Sequence, residues 1–282
     1  MTRAFVFPGQ GSQFVGMGKD LAEAFLEARH TFEEVNDALG HNLTKIMFEG
    51  AESDLNLTEN TQPALMAMSV AIMNVLTRQG GIQLSKVASH VAGHSLGEYS
   101  ALTAAGSLDL ADCTRLARIR GKAMQEAVPV GQGAMAAILG LDYEDVKKIA
   151  EEVSGAETCE AANDNAPGQV VVSGHKGAVE AAIALATTRG AKRAIALPVS
   201  APFHCTLMAP AAQKMATVLA ETNIRVPIVP VIANVTAQAT SDPAEIRRFL
   251  VEQITGRVRW RESVLWMAEH GITEAIEIGP GK

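Results

Sequence analysis

A serine stands between two glycines in Gly93-His94-Ser95-Leu96-Gly97, after the apolar run 87–92 and before the helix-forming stretch EYSALTAAG. A strand that turns sharply into a helix crowds its own backbone. Glycines two before and two after a serine suit a strained corner that lifts Oγ above a sheet. The N-terminal N–H groups of the following helix would face whatever is bonded to Ser95 and favour negative charge there. The Leu96 N–H offers one half of an oxyanion hole. This is equipment for nucleophilic acyl chemistry, and a serine hydroxyl needs a base to perform it.

Seven histidines are available. His30 and His41 read as surface residues and His90 as part of a strand core. His94 lies too close to Ser95 in sequence to serve as its base. His175 starts a helix and His270 ends one. His204 differs: it sits in Ser200-Ala201-Pro202-Phe203-His204-Cys205, a proline-containing loop between a strand and a helix. A serine followed later by its histidine is the chain order of α/β-hydrolase-type sites. The residues alone leave a helix-capping role for His204 equally open. They also leave Arg120, with Arg118 and Lys122, readable as a solvated basic helix face. Cys205 beside His204 reads as packing, because neighbours on an extended segment point opposite ways. Cys113, Cys159 and Cys205 are odd in number, lack metal-ligand spacing and read as reduced thiols, so no metal site is expected.

The elements that must position these residues alternate. RAFVF (3–7) reads as a buried strand ending in the loop Pro8-Gly9-Gln10-Gly11-Ser12-Gln13. Helical patterns follow at 19–38 and 62–79, the second with Pro63 in its first turn. A strand at 87–92, the serine corner and helices at 96–105 and 109–127 come next, with Asp109 as N-cap. Residues 133–197 then read βαββαβ, a ferredoxin-like unit of two helices on a four-stranded antiparallel sheet. Afterwards come a helix following His204, the strand IVPVIAN, helices at 243–254 and 260–270, and the strand EAIEI. The fold class is α/β. An α/β-hydrolase-like main domain with a mostly parallel sheet (1–128 and 198–282) carries an inserted ferredoxin-like subdomain (129–197).

Composition bounds the function. The chain has 282 residues, 48% hydrophobic and 20% charged, an ordinary globular balance. A net charge of −7 and only 4% aromatics argue against a nucleic-acid partner. No apolar run approaches the ~20 residues of a membrane span. The N-terminal MTRAFVFPGQ runs straight into a strand and shows no signal peptide, so a cytoplasmic protein is expected.

FVFPGQGSQ, GHSLGEYSAL, RIRGKAMQEAVP, NAPGQVVVSG, SAPFHC and the closing IGPGK occur together and in this order. Over essentially the whole chain this resembles the malonyl-CoA:acyl carrier protein transacylases, the acyltransferase family of bacterial fatty acid synthesis. The resemblance implies an S-malonyltransferase that needs no cofactor. Ser95 would attack the malonyl-CoA thioester with His204 as base, and the backbone N–H groups of Leu96 and Gln10 would hold the oxyanion. A malonyl-serine ester would pass to the phosphopantetheine thiol of holo acyl carrier protein in a ping-pong cycle. Arg120 would pair with the malonyl carboxylate, and Phe203 would limit branching. The Gln253 backbone carbonyl would orient His204 in place of an acidic triad member. A monomer is expected. Carrier proteins are acidic, so docking would need a basic patch, either Lys192 and Arg193 or the group Arg247, Arg248, Arg257, Arg259 and Arg261. Relatives continue past IGPGK by about another helix. A serine hydrolase of thioesters or esters, a non-catalytic carrier-binding module and a related acyltransferase of polyketide synthesis are the rival readings.

Overall fold

The computed structural model describes residues 2–199 and 201–281. Met1, Ser200 in the loop before His204 and Lys282 of the closing motif lie outside the described residues. Nine strands among the described residues form two sheets. In chain order they are β1 (Arg3–Phe7), β2 (His90–Gly93), β3 (Gly133–Leu139), β4 (Cys159–Ala166), β5 (Gln169–His175), β6 (Arg193–Ala196), β7 (Val231–Ala233), β8 (Gln238–Thr240) and β9 (Glu274–Glu277). The helices are α1 (Lys19–Ala24), α2 (Leu26–Leu39), α3 (Leu43–Glu49), α4 (Glu52–Leu55), α5 (Thr58–Arg78), α6 (Leu84–Val87), α7 (Leu96–Ala104) and α8 (Leu110–Glu126) before the second sheet. Within and after it come α9 (Tyr143–Val153), α10 (Lys176–Thr188), α11 (Ala209–Glu221), α12 (Pro243–Thr255) and α13 (Trp260–Glu269).

The first sheet runs β8-β7-β2-β1-β9. Its three inner strands, β7, β2 and β1, are apolar and covered on both faces, and β1 pairs in parallel with both β2 and β9. Val91 pairs with Val231 of β7, also in parallel, and only the edge strand β8 is antiparallel. Phe7 stands in register with Gly93, so β1 and β2 end side by side where the serine corner begins. In an open parallel sheet the crevice beyond the carboxyl ends of the strands is where ligands bind.

The second sheet, β4-β5-β3-β6, is antiparallel throughout. Its two faces divide by the strand period of two. Ala136, Ile138, Val170 and Val172 join α9 and α10 in a core of their own, while Met135, Ala137 and Val171 face the main core beside Phe203. β4 is tied to the segment before α13 by backbone bonds between Ala162, Asp164 and Val258, and Arg261 grips the buried Asp164 carboxylate through Nε and Nη2.

Several boundaries differ from the sequence expectation. The helix expected over 19–38 breaks at Phe25, which is extended and ends α1 before α2 begins. α5 starts at Thr58 rather than 62, which puts Pro63 inside it. The Glu59 carbonyl that a residue 63 N–H would have bonded accepts from Arg118 Nη1 instead (3.0 Å), so the missing donor is replaced. Residues 84–87 form a helical turn, and the strand is confined to His90–Gly93. Asp109 precedes α8 as expected, but its carboxylate pairs with Arg225 rather than capping the helix. β8 had no counterpart in the sequence reading. His90 is half-buried against the Trp266 ring rather than in a core.

Candidate active site

The corner between β2 and α7 is tight enough to dictate its residues. A Cβ on Gly93 would lie 1.9 Å from the Gly97 carbonyl carbon, and one on Gly97 would lie 2.1 Å from the Phe7 oxygen. Ser95 has φ 53° and ψ −107°, a strained conformation for a residue with a side chain. A clamp keeps it there. The Asn234 side chain, just past β7, accepts from the Ser95 N–H (2.7 Å) and donates to the Gly93 carbonyl (2.7 Å). The sequence reading missed Asn234. Its one signal was a polar residue closing an otherwise apolar strand.

The strain aims Oγ at His204. Ser95 Oγ donates to His204 Nε2 at 2.7 Å. On the other side of the ring Nδ1 donates to the Gln253 backbone carbonyl at 2.8 Å. A carbonyl can only accept, so the proton sits on Nδ1 and Nε2 is left as the acceptor. Burial, with the Arg120 charge second, pushes the His204 pKa down to about 3. The imidazole is therefore neutral at physiological pH and able to take a proton. His204 too has a positive φ, 58°.

Arg120 is 1% exposed, so it does not belong to a solvated face. Nη1 donates to Gln62 Oε1 (2.8 Å) and Nη2 to both Gln253 Oε1 (2.8 Å) and Ser95 Oγ (3.0 Å). Every acceptor on this cation is neutral. The neighbours diverge: Arg118 reaches Glu59 and Asn60, and Lys122 is paired with Glu126 at the surface. A second residue missed by the sequence reading lies behind Arg120. Glu98 is 2% exposed, and burial raises its pKa to about 7. Its place in GHSLGEYS looked like an ordinary helical polar position.

The loop after β1 completes the wall. A Cβ on Gly9 would lie 2.6 Å from the His94 carbonyl oxygen, so only glycine lets this loop close on the corner. That puts Gln10 beside Ser95. Leu96 is the first residue of α7, where an N–H has no intrahelical acceptor. A cavity of about 160 Å³ joins Gln10, Gln62, Ser95, Leu96, Arg120 and His204 to an apolar side made by Met124, Met135, Val171, Leu197, Val199 and Phe203. Gln253 stands outside it, behind His204. The structure thus brings Ser95, His204, Gln10, Leu96, Arg120 and Phe203 to one cavity. His94 lines its edge, bonded to Asn165.

The two basic patches fare differently. Arg257 and Arg259 pair with Glu262, Arg261 with Asp164, Arg248 with Glu245 and Glu252, and Arg247 donates to the Thr222 carbonyl. Lys192 and Arg193 are exposed and make no ion pair among the described residues. No helix among the described residues is long and apolar enough to cross a membrane.

Comparison with known proteins matches residues 4–281 to the acyl transferase domain family. The malonyl CoA-acyl carrier protein transacylase of Escherichia coli K12 is 50% identical over 279 residues, which cover 99% of this chain and 89% of that protein. The crystal structure of the acyl-carrier-protein S-malonyltransferase of Bartonella henselae superposes with a TM-score of 0.98 at 55% identity, covering 100% of this chain and 90% of that one. A malonyl-transacylase solved in complex with its type II PKS acyl carrier protein gives a TM-score of 0.96 at 47% identity, covering 100% and 90%.

Proposed function

The chain belongs to the acyl transferase domain family, and on that premise we propose that it moves the malonyl group of malonyl-CoA to the phosphopantetheine thiol of acyl carrier protein, supplying fatty acid synthesis. The observation that carries this reading is a serine oxygen held between a neutral imidazole at 2.7 Å and a buried guanidinium at 3.0 Å. The imidazole supplies the base and the guanidinium supplies a seat for the malonyl carboxylate.

Ser95 Oγ attacks the thioester carbonyl as its proton passes to His204 Nε2. The forming oxyanion is met by the Leu96 and Gln10 N–H groups. When the intermediate collapses, the carbon–sulfur bond breaks and His204 returns the proton to the departing CoA sulfur. The malonyl ester on Ser95 waits under the apolar side of the cavity. The carrier thiol then loses its proton to His204, its sulfur attacks the ester, and Ser95 recovers the proton. Through both halves the Gln253 carbonyl holds Nδ1 and stabilises the imidazolium, a neutral acceptor where hydrolases use a carboxylate.

Arg120 selects the acyl group. Its bond to Ser95 Oγ gives way to a carboxylate that two parallel N–H bonds can grip, while Gln62 and Gln253 keep hold of the guanidinium. An acetyl group leaves the cation unpaired and is rejected. Phe203 narrows the space for a branched acyl chain. We place residues 1–128 and 198–282 in the catalytic domain and 129–197 in a ferredoxin-like subdomain that closes the cavity. The protein works in the cytoplasm as a monomer, with no nucleic-acid or membrane partner.

The test is intact-protein mass after mixing with malonyl-CoA, beside Ser95→Ala and with acetyl-CoA as a second donor. A malonyl adduct that needs Ser95, is absent with acetyl-CoA and disappears on adding phosphopantetheinylated carrier protein is expected. Free malonate without an adduct would make the protein a hydrolase.

A further inference from the structure

Glu98 is a buried carboxylate to which the reaction as derived above gives no role. It lies one turn after Ser95 on α7, and one of its oxygens accepts from Gln253 Nε2 (2.8 Å) and from the Asn234 backbone N–H (3.1 Å). The other deeply buried carboxylate, Asp164, is bonded directly by an arginine. Glu98 makes no ion pair among the described residues. The cation whose charge it feels is Arg120, which it reaches only through the Gln253 side chain.

That amide has a fixed polarity. Its nitrogen donates to Glu98 and to the Ser95 carbonyl (3.0 Å), and its oxygen accepts from Arg120 Nη2. Reversed, it would set an NH2 group against a guanidinium N–H and an oxygen against two acceptors. An ionised carboxylate only accepts, so above about pH 7, where Glu98 is ionised, it decides which end of Gln253 faces Arg120. Replaced by a glutamine, position 98 could still turn one oxygen to both donors, but that oxygen is neutral and the side chain can equally turn its NH2 group on them. The amide polarity of Gln253 is then no longer dictated.

We propose that Glu98 is a positioning residue for acyl selection: through the Gln253 side-chain amide it holds the Arg120 guanidinium in the orientation that receives the carboxylate of a dicarboxylic acyl group. The proposal rests on the acyl-transfer reading above. It separates two jobs of Gln253, whose backbone carbonyl serves His204 while its side chain serves Arg120. Disturbing Glu98 therefore weakens selection more than it weakens the serine–histidine chemistry.

The experiment measures rates of Ser95 acylation by malonyl-CoA and by acetyl-CoA in wild type, Glu98→Gln, Glu98→Asp, Arg120→Ala and the Glu98→Gln/Arg120→Ala pair. Turning a charge-assisted hydrogen bond into a neutral one is worth about several-fold to tenfold. The malonyl-to-acetyl rate ratio is expected to fall about fivefold or more in Glu98→Gln, with most of the malonyl loss in KM rather than kcat. In the Arg120→Ala background Glu98→Gln should change the ratio little, because both act on one contact. Equal losses for both donors, or losses that add in the double variant, would overturn the proposal. Should Glu98→Gln fail to fold, Glu98→Asp, which keeps the charge but withdraws it by a methylene, decides by the same ratio. A wild type that takes up neither acyl group removes the functional reading and this proposal with it. A wild type that prefers malonyl, with both Glu98 variants keeping that preference, removes only the proposal.

Discussion

The two sheets solve opposite problems. The second sheet keeps an ordinary antiparallel pattern apart from two register shifts in β4: one face packs on its own helices, and its buried carboxylate meets an arginine directly. The carboxyl end of the first sheet is irregular. It holds two positive-φ residues with side chains, Ser95 and His204, and a buried arginine bonded only to neutral groups. It also holds a carboxylate with no direct cation. Such features cost stability, and they persist only where the surroundings over-determine them. The difference teaches that the strain and unpaired charge of this chain gather at the carboxyl end of the first sheet, while the second sheet, among the described residues, carries a core with no such feature.

The comparison can be broken most forcefully at His204. His204→Ala should lower malonyl transfer on the order of 10⁴-fold or more, while the thermal midpoint stays equal or rises because a strained, buried imidazole is gone. A lower midpoint would mean the site also holds the fold together. Next comes Arg120→Ala, expected to cut malonyl acylation about 10³-fold and to bring the malonyl and acetyl rates together. Undiminished discrimination would place selection elsewhere in the cavity.

The second sheet should show the converse. Ile138 is fully buried among α9 and α10. Ile138→Ala should cost about 2–5 kcal/mol of stability by denaturant titration, while the protein that remains folded acylates Ser95 at an undiminished rate.

A smaller effect follows from titration. Glu98 is raised from an ordinary 4.5 to about 7, so between those values the folded protein holds a proton that the unfolded chain has released, and stability falls as pH rises. His204 is lowered from 6.5 to about 3, so over that window the unfolded chain holds the extra proton and stability rises with pH. The two oppose each other in wild type. In Glu98→Gln only the rise remains, so its melting temperature relative to wild type should climb between pH 4.5 and 7. A constant difference would mean Glu98 titrates normally. The smallest effect concerns docking: reversing Lys192 and Arg193 to glutamate should weaken transfer to an acidic carrier protein a fewfold at low salt, through the rate of encounter, and leave self-acylation by malonyl-CoA untouched.

Much of this was legible in the residues. The apolar run RAFVF marks a parallel strand buried on both faces, and EAIEI, at the sheet edge, shows the alternation of a strand with one face outward. The βαββαβ order was readable from period alone. Ser95 was readable because glycine is the only residue that fits at 93 and 97, and that demand is written locally. The early start of α5 was not legible, since the partner that makes Pro63 tolerable is Arg118, far along the chain.

The sequence by itself determined the strands, the serine corner and, with the resemblance that its motifs carry, which residues converge. Only the tertiary structure decided their chemistry. Glu98 and Arg120 look like ordinary helical charges until other elements bury them, and Asn234 and Gln253 are plain amides until they close on the corner from β7 and α12. Burial and long-range hydrogen bonds set protonation states and orientations, and neither is a property of any local stretch of chain.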